Sequence, residues 1–333
     1  MKELIKKVKS KKDLSRDEAY NAMLSILEEA NDNDIYDFLI AMNEKEIAVD
    51  ELVGFINGMK ERAIFIKPNV GTLVDTCGTG GDCKGTINIS TGAAIITSSA
   101  GVPVAKHGNY SVSSKSGSAN VLEALGYNIN MTPKDCQEMI EKTDFGFLFA
   151  PRFYPTMKKV ATIRKRIGKK TIFNLLGPLC NPANVQAQLI GVYEKNLCEK
   201  FCYVLREVGS EHALVVYGSG LDEISNMGET VVYELNNKKV KNYKIRPEDF
   251  GFKRYQLKNI LGSSPKENAK YLKDILNGQG GAKRDIIILN AGASIYLGNG
   301  ANSLDNGIER AKDALNSGAS SKKLLEIIKY SKR

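Results

Sequence analysis

Apolar side chains recur at three- and four-residue intervals through the first 65 or so residues. They run Met23, Ile26 and Leu27, then Ile35, Phe38, Leu39 and Met42, then Leu52, Phe55, Ile56 and Met59. That period belongs to amphipathic helices, and Ser15 followed by Glu18 at the N3 position is a capping box that starts one of them. The chain therefore opens with a small helical bundle. From about residue 70 the pattern changes to short apolar runs, TLVD, VPVA, QLIGVY, ALVVY and DIIILN, separated by helical stretches. Such alternation predicts a mostly parallel sheet covered by helices. Ser264-Pro265 with Glu267 marks a late helix start, and Ser303 opens a helix that ends near Gly318.

Two polar, glycine-rich stretches interrupt the second part, DTCGTGGDCKGTINIST (75–91) and VAKHGNYSVSSKSGSANVLEALG (104–126). Gly78, Gly80, Gly81 and Gly85 permit positive φ and can turn backbone N–H groups toward an anion. Asn88, Ser90 and Thr91 stand where the helix GAAIITSSA begins, so free N–H groups and the positive end of its dipole also favour phosphate. The second stretch adds a cation, Lys106, and hydroxyls at Ser111, Ser113, Ser114, Ser116 and Ser118. One anion pocket with two walls is the simplest reading. It is not an ordinary nucleotide site: GTGGD lacks the Lys-Ser/Thr that ends a P-loop, and no GxGxxG follows the first strand with an acidic residue about 20 positions on.

In order along the chain, GTGGD, NIST, KHGN, SSKSGSANVLEALG, FLFAPRFYPTMKKVATIRKRIGKKTIFNLLGPLCNPA, QLIGVY, GLDEIS and RDIIILNAGAS resemble the anthranilate phosphoribosyltransferases, the tryptophan-pathway branch of the nucleoside phosphorylase-like transferases. The resemblance covers nearly the whole chain. It implies an α/β fold with a small all-helical N-terminal domain, residues 1–68 with returning helices at about 155–180, and an α/β domain over 69–333 that binds phosphoribosyl pyrophosphate (PRPP). It also implies a two-fold homodimer paired through the helical domain. The family's positions place Gly78, Thr79, Gly81, Asp82, Thr86, Asn88, Ile89, Ser90, Thr91, Lys106, Lys115 and Ser118 around PRPP. Mg²⁺ falls to Ser90, Asp222 and Glu223, and anthranilate to Gly78, His107, Asn109, Tyr154, Arg164, Gly177 and Pro178. Displacing pyrophosphate at an anomeric carbon needs stabilisation of charge on the leaving group and in-line positioning rather than a covalent intermediate. Lys106 is the expected stabiliser, and His107 is expected to position substrate. Three residues depart from the family's usual pattern: Tyr110 in place of the arginine of KHGNRS, Asn120 in GSAN, and Tyr154 where a histidine is common.

The 333-residue chain is 42% hydrophobic and 26% charged, with no apolar run near the ~20 residues of a membrane span and no apolar signal-peptide core. A cytoplasmic location is expected. Six scattered cysteines without a CxxC, and only two histidines, argue for free thiols and against a zinc site. Net charge +9 invites a nucleic-acid reading, and Lys158, Lys159, Arg164, Lys165, Arg166, Lys169 and Lys170 are a dense basic cluster. No nucleic-acid motif accompanies it, so an electrostatic funnel for small polyanions is the preferred reading. The rivals are a pyrimidine nucleoside phosphorylase of the same fold, which the sequence Lys106-His107-Gly108-Asn109 disfavours, and a paralogue that binds nucleic acid.

Overall fold

The computed structural model describes residues 1–111 and 115–333. Four helices open the chain: α1 (Lys2–Lys9), α2 (Arg16–Glu28), α3 (Asp32–Asn43) and α4 (Val49–Glu61). Ser15 and Glu18 form the expected reciprocal capping box on α2. The apolar stripes of these helices face one another: α2 packs along α4, and Phe38 of α3 meets Phe55 of α4 edge to face at 6.1 Å. Gly54 and Gly58 of α4 allow the close approach, since a Cβ on Gly54 would stand 2.3 Å from the Arg16 carbonyl oxygen of α2.

The rest of the chain runs β1 (Val74–Asp75), α5 (Ile89–Ser99), β2 (Val104–Gly108), α6 (Ser118–Leu125), α7 (Pro133–Thr143), β3 (Phe145–Phe149), α8 (Ala150–Phe153), α9 (Met157–Ile167), α10 (Ile172–Leu176), β4 (Ala187–Gly191), α11 (Leu197–Glu207), β5 (His212–Gly218), β6 (Thr230–Asn236), β7 (Lys239–Ile245), α12 (Pro265–Leu276), α13 (Ala282–Leu297), α14 (Leu304–Asn316) and α15 (Ala319–Ser331). Among the described residues these strands form one sheet in the order β3-β2-β1-β4-β5-β6-β7. The first five strands in that order are mutually parallel, whereas β5-β6 and β6-β7 are antiparallel. The mostly parallel α/β sheet with a helical N-terminal part is thus as expected. α9 returns to the opening helices, packing on α2 and α3, and Asn43 donates to the Lys170 carbonyl at 2.7 Å.

One expected strand is a helix. DIIILN lies inside α13, where Ile286 to Leu289 are all buried. A short apolar run reads alike as a buried strand or as a helix enclosed on all sides. The deciding feature is the small-residue continuation NAGAS, which lets neighbouring helices press close: a Cβ on Gly292 would stand 2.4 Å from Ile308 of α14. The two-residue turn Asn237-Lys238, with φ of 46° and 67°, makes the β6-β7 hairpin. Glu234 of β6 accepts hydrogen bonds from Tyr243 of β7 at 2.7 Å and Tyr296 of α13 at 2.8 Å, tying the hairpin to the helical layer. The outer strand β7 presents Lys239, Lys241 and Lys244 to solvent, while the opposite edge strand β3 is buried throughout.

Candidate active site

The carboxyl ends of β1, β2, β3 and β5 converge on a cavity of about 840 Å³. In open α/β sheets that is where connecting loops leave the strands and ligands bind. The loop after β1, the loop after β2 and the Asp222-Glu223 turn after β5 form one wall; α4, the start of α9, and α10 with the Gly177-Pro178 turn form the other. Of the site residues expected from sequence, Gly78, Thr79, Asp82, Thr86, Asn88, Ile89, Ser90, Thr91, Lys106, His107, Asn109, Ser118, Tyr154, Arg164, Gly177, Pro178, Asp222 and Glu223 line this cavity. Gly81 and Lys115 do not. Lys115 is exposed near Glu267, and Gly81 faces away, onto Tyr193. Ser113 and Ser114 lie outside the described residues.

The glycines of the first loop serve two different ends. Gly80 and Gly85 have φ of 63° and 66°, as expected, but Gly78 and Gly81 do not adopt positive φ. They are needed for closeness instead: a Cβ on Gly78 would lie 3.1 Å from the Asp222 carbonyl oxygen, and one on Gly81 would lie 2.3 Å from the Tyr193 ring. Nor do all the loop's N–H groups face the cavity. Thr79 N–H donates to Gly191 O at 2.9 Å and Gly80 N–H to Asp222 Oδ2 at 2.6 Å. The start of α5 has neither a side-chain cap nor an acidic residue in its first turn; its Ile89 N–H turns back to Ile87 O at 2.8 Å, and its Ser90 N–H meets the Glu223 carboxylate. There the Thr91 hydroxyl is buried without a protein partner.

Asn88 staples the loops together. Its amide donates to Ser116 O at 3.0 Å and accepts from Ser116 Oγ at 3.2 Å and from Asn268 Nδ2 of α12 at 2.9 Å. Lys106 is almost fully buried, its ammonium donating to Thr76 O at 2.7 Å and to Ser90 Oγ at 3.1 Å. Behind it, Asp75 accepts from His107 N at 3.2 Å and from Asn181 Nδ2 at 2.8 Å. Burial pushes the Asp75 carboxyl up to about 6 despite Lys106.

Asp222 is pushed up to about 7 by burial and by repulsion from Asp82, and Glu223 is raised by burial and by Asp222. Such a surplus of buried negative charge fits a divalent cation. Among the described residues no three Asp, Glu, His or Cys side chains converge into a metal cage. Two adjacent carboxylates and the Ser90 hydroxyl are hard oxygen donors, the type Mg²⁺ takes together with waters and substrate phosphates.

The other wall is apolar with a few polar groups. Arg164 of α9 lies beside the Phe173 ring, 5.7 Å from its centroid, and donates to Asn174 Oδ1 at 3.3 Å. Burial alone lowers its pKa, with no carboxylate beside it to offset the effect. His107 Nδ1–H donates to Gly177 O at 3.1 Å, which fixes the tautomer and leaves Nε2 an acceptor without a protein partner. Burial holds its pKa down to about 4, so the ring is neutral at physiological pH. Tyr154 packs near His107, and its hydroxyl donates to Cys180 O at 2.6 Å, so the ring rather than the hydroxyl faces the cavity. Tyr110 donates to Glu123 at 2.9 Å and stacks edge-on to Phe149. Sequence reasoning missed Met59, Met157, Phe173 and Asn174 on this wall; no local signal marks them, because tertiary packing alone brings them here.

Residues 70–321 match the family described as glycosyl transferase family, a/b domain, and residues 2–63 match its helical bundle domain. The anthranilate phosphoribosyltransferase of Methanosarcina mazei is 51% identical over 319 residues, covering 96% of this chain and 86% of that protein. That of a Thermoanaerobacter species is 46% identical over 335 residues, covering 100% and 99%. The crystal structure of the Thermus thermophilus anthranilate phosphoribosyltransferase superposes with a TM-score of 0.94 at 36% identity, over 99% of both chains. The Saccharomyces cerevisiae enzyme in complex with PRPP and Mg gives 0.87 at 28% identity, over 99% of this chain and 97% of that one. The chain belongs to the anthranilate phosphoribosyltransferases of the glycosyl transferase family.

Proposed function

We propose that this cavity is where the chain transfers the phosphoribosyl group of PRPP to the amine of anthranilate, releasing pyrophosphate and N-(5-phosphoribosyl)anthranilate, a step of tryptophan biosynthesis. One observation carries the assignment. A single cavity joins an uncapped helix start, a buried lysine and an adjacent carboxylate pair on one wall to a half-buried arginine without a carboxylate partner on the other. The first wall suits the polyphosphate donor, and the second suits a flat acid with a nearby amine.

The start of α5, with Ser90, Thr91 and Asn88 beside the Gly78–Asp82 loop, receives the phosphates, and Lys106 opposes the charge that grows on the departing pyrophosphate. Gly81 acts from behind that loop, Thr86, Ile89 and Ser118 line the same cavity, and Lys115, exposed near Glu267, would reach PRPP only from outside the wall. Asp222 and Glu223, with Ser90, would hold Mg²⁺, which screens phosphate charge when bound. Arg164 pairs with the anthranilate carboxylate. The ring lies against Tyr154 and the Gly177-Pro178 turn, near Asn109 and Gly78. His107 Nε2, a neutral acceptor, orients the amine. A weakly basic amine attacking a cation-like carbon needs alignment more than prior deprotonation. Cys77, with its thiol pushed up to about 12 by burial, is no nucleophile at neutral pH.

Residues 1–68 with the stretch near 155–180 form the helical lobe and 69–333 the α/β lobe, supported by the packing of α9 on α2 and α3. The chain pairs as a homodimer through the helical lobe. Exposed Ile64 and Phe65 beside an open cleft lined by Tyr20, Asn57 and Lys60 support that reading. No helix among the described residues is long and apolar enough to cross a membrane. Phosphorylated, membrane-impermeant substrates support a cytoplasmic location. Within the basic cluster Lys159 bonds Ala30 O, Arg166 and Lys170 lie over Tyr36 and Tyr193, and Lys158 and Arg164 line the cavity. That lining supports small polyanionic partners rather than nucleic acid.

Purified chain with PRPP, Mg²⁺ and anthranilate should consume anthranilate and release phosphoribosylanthranilate and pyrophosphate in equal amounts, measured by chromatography. Turnover with a pyrimidine nucleoside and phosphate instead would assign the phosphorylase reaction. Sedimentation showing only a 36.5 kDa species at micromolar concentration would remove the dimer.

A further inference from the structure

We infer that Tyr193, just beyond β4 and outside the cavity wall, is a positioning residue for the donor loop. Its ring forms the platform on which Gly81 rests, and Lys170 of the α9–α10 connection braces that ring. The inference rests on reading the Gly78–Asp82 loop as part of the PRPP wall.

Gly81 is required by closeness, not by φ. An added Cβ would stand 2.3, 2.8 and 3.1 Å from Cδ1, Cγ and Cε1 of Tyr193, so the ring occupies the space of a side chain at position 81. The same stretch of chain supports the loop twice, because Gly191 O accepts the Thr79 N–H at 2.9 Å. On the cavity side, Asp222 holds Gly80 at 2.6 Å. The loop is therefore held from both sides, by a carboxylate in front and an aromatic ring behind.

The ring is itself held. Lys170 Nζ lies 3.6 Å from its centroid, within cation–π range, and the Lys170 carbonyl accepts the amide of Asn43 on α3. A continuous path thus runs from the opening helices through Lys170 and Tyr193 to the phosphate loop. Any shift of α9 toward the acceptor would be felt at the donor loop through this one ring.

The test is second-site rescue, read by calorimetric binding of PRPP with Mg²⁺ as well as by steady-state KM values. Tyr193→Phe keeps the ring and should bind PRPP as wild type does. Tyr193→Ala should weaken PRPP binding by about tenfold while moving the anthranilate KM less than about threefold, since displaced loops raise the cost of alignment. Gly81→Ala should lose more, roughly a hundredfold, and the Gly81→Ala/Tyr193→Ala double variant should bind better than Gly81→Ala alone, because space has been opened for the new methyl. Lys170→Met should fall between wild type and Tyr193→Ala. Thermal midpoints of all five variants establish that each folds. A double variant no better than Gly81→Ala, or a Tyr193→Ala change equal for both substrates, overturns the inference and leaves the donor wall standing. A wild-type chain that does not bind PRPP overturns both.

Discussion

The two walls of the cavity are built on different principles. The donor wall is a lattice of short hydrogen bonds among loops: Asn88 ties the first loop to the second and to α12, Lys106 closes on Thr76 and Ser90, and Asp222 grips Gly80. The acceptor wall is mostly apolar packing from helices, with Arg164 held by one 3.3 Å hydrogen bond and the neighbouring Phe173 ring. A highly charged donor must meet fixed dipoles that cost no reorganisation during reaction. A flat aromatic acid needs a slot and one cation. Under the proposed assignment, hydrogen bonds and charge gather on the wall that takes the leaving group, and apolar packing on the wall that takes the acceptor.

Breaking the donor wall should have the largest effect. Replacing Asp222 and Glu223 together with Ala should lower turnover at limiting Mg²⁺ by about a hundredfold, roughly 3 kcal/mol, while circular dichroism stays native. Unchanged rate and unchanged Mg²⁺ dependence would remove the metal assignment. On the acceptor wall, Arg164→Ala should raise the anthranilate KM by roughly ten- to a hundredfold, since a charge-assisted hydrogen bond contributes about 1.5–3 kcal/mol. The KM for PRPP should barely move. If both rise together, Arg164 belongs to the anion funnel and the contrast between the walls collapses. Aniline should be a poor acceptor for wild type but nearly equivalent to anthranilate for the variant.

Asn174 gives a finer test. It accepts from Arg164 and from Thr171 N–H at 3.0 Å, so Asn174→Ala, which removes a support of the guanidinium and leaves the cation in place, should raise the anthranilate KM by only about three- to tenfold. A pH experiment probes the seam between the walls. His107 should titrate near 4 by NMR, with flat imidazole shifts from pH 8 to 5.5. Its folded pKa lies below the unfolded value, so as pH falls from 6.5 toward 4 the unfolded chain takes up a proton the folded ring refuses, and His107 makes stability decline. Asp75, raised to about 6, has the opposite sign from pH 6 down to 4. His107→Gln should therefore flatten the acid side of the stability curve, measured by urea unfolding; an unaltered slope would mean the ring is already charged in the fold.

The donor wall was largely legible from sequence because its chemistry is local. Glycines, hydroxyls and a helix start follow one another within 75–91, and GLDEIS carries adjacent carboxylates. What remained hidden was direction. Gly81 looked like a flexible loop glycine and proved to be a contact glycine, because nothing near it in sequence indicates that Tyr193, more than a hundred residues later, lies against it. The acceptor wall was legible at Arg164 and Tyr154 only through resemblance, and Met59, Phe173 and Asn174 stayed silent. The fold followed the same division. Capping boxes and alternating strands were readable, whereas DIIILN failed because apolar run length alone cannot separate a strand from a helix packed on every side.

The lysines of β7 carry a consequence for how copies of this chain meet. An edge strand with free N–H and C=O groups is a template for further strands, and a row of ammonium groups repels a second identical edge. With β3 buried at the other end, the sheet offers neither edge for joining. Continuous fibre-like stacking of sheets is thereby disfavoured even at high concentration, and any stable pairing is left to helical surfaces, where contact can close on itself and stop.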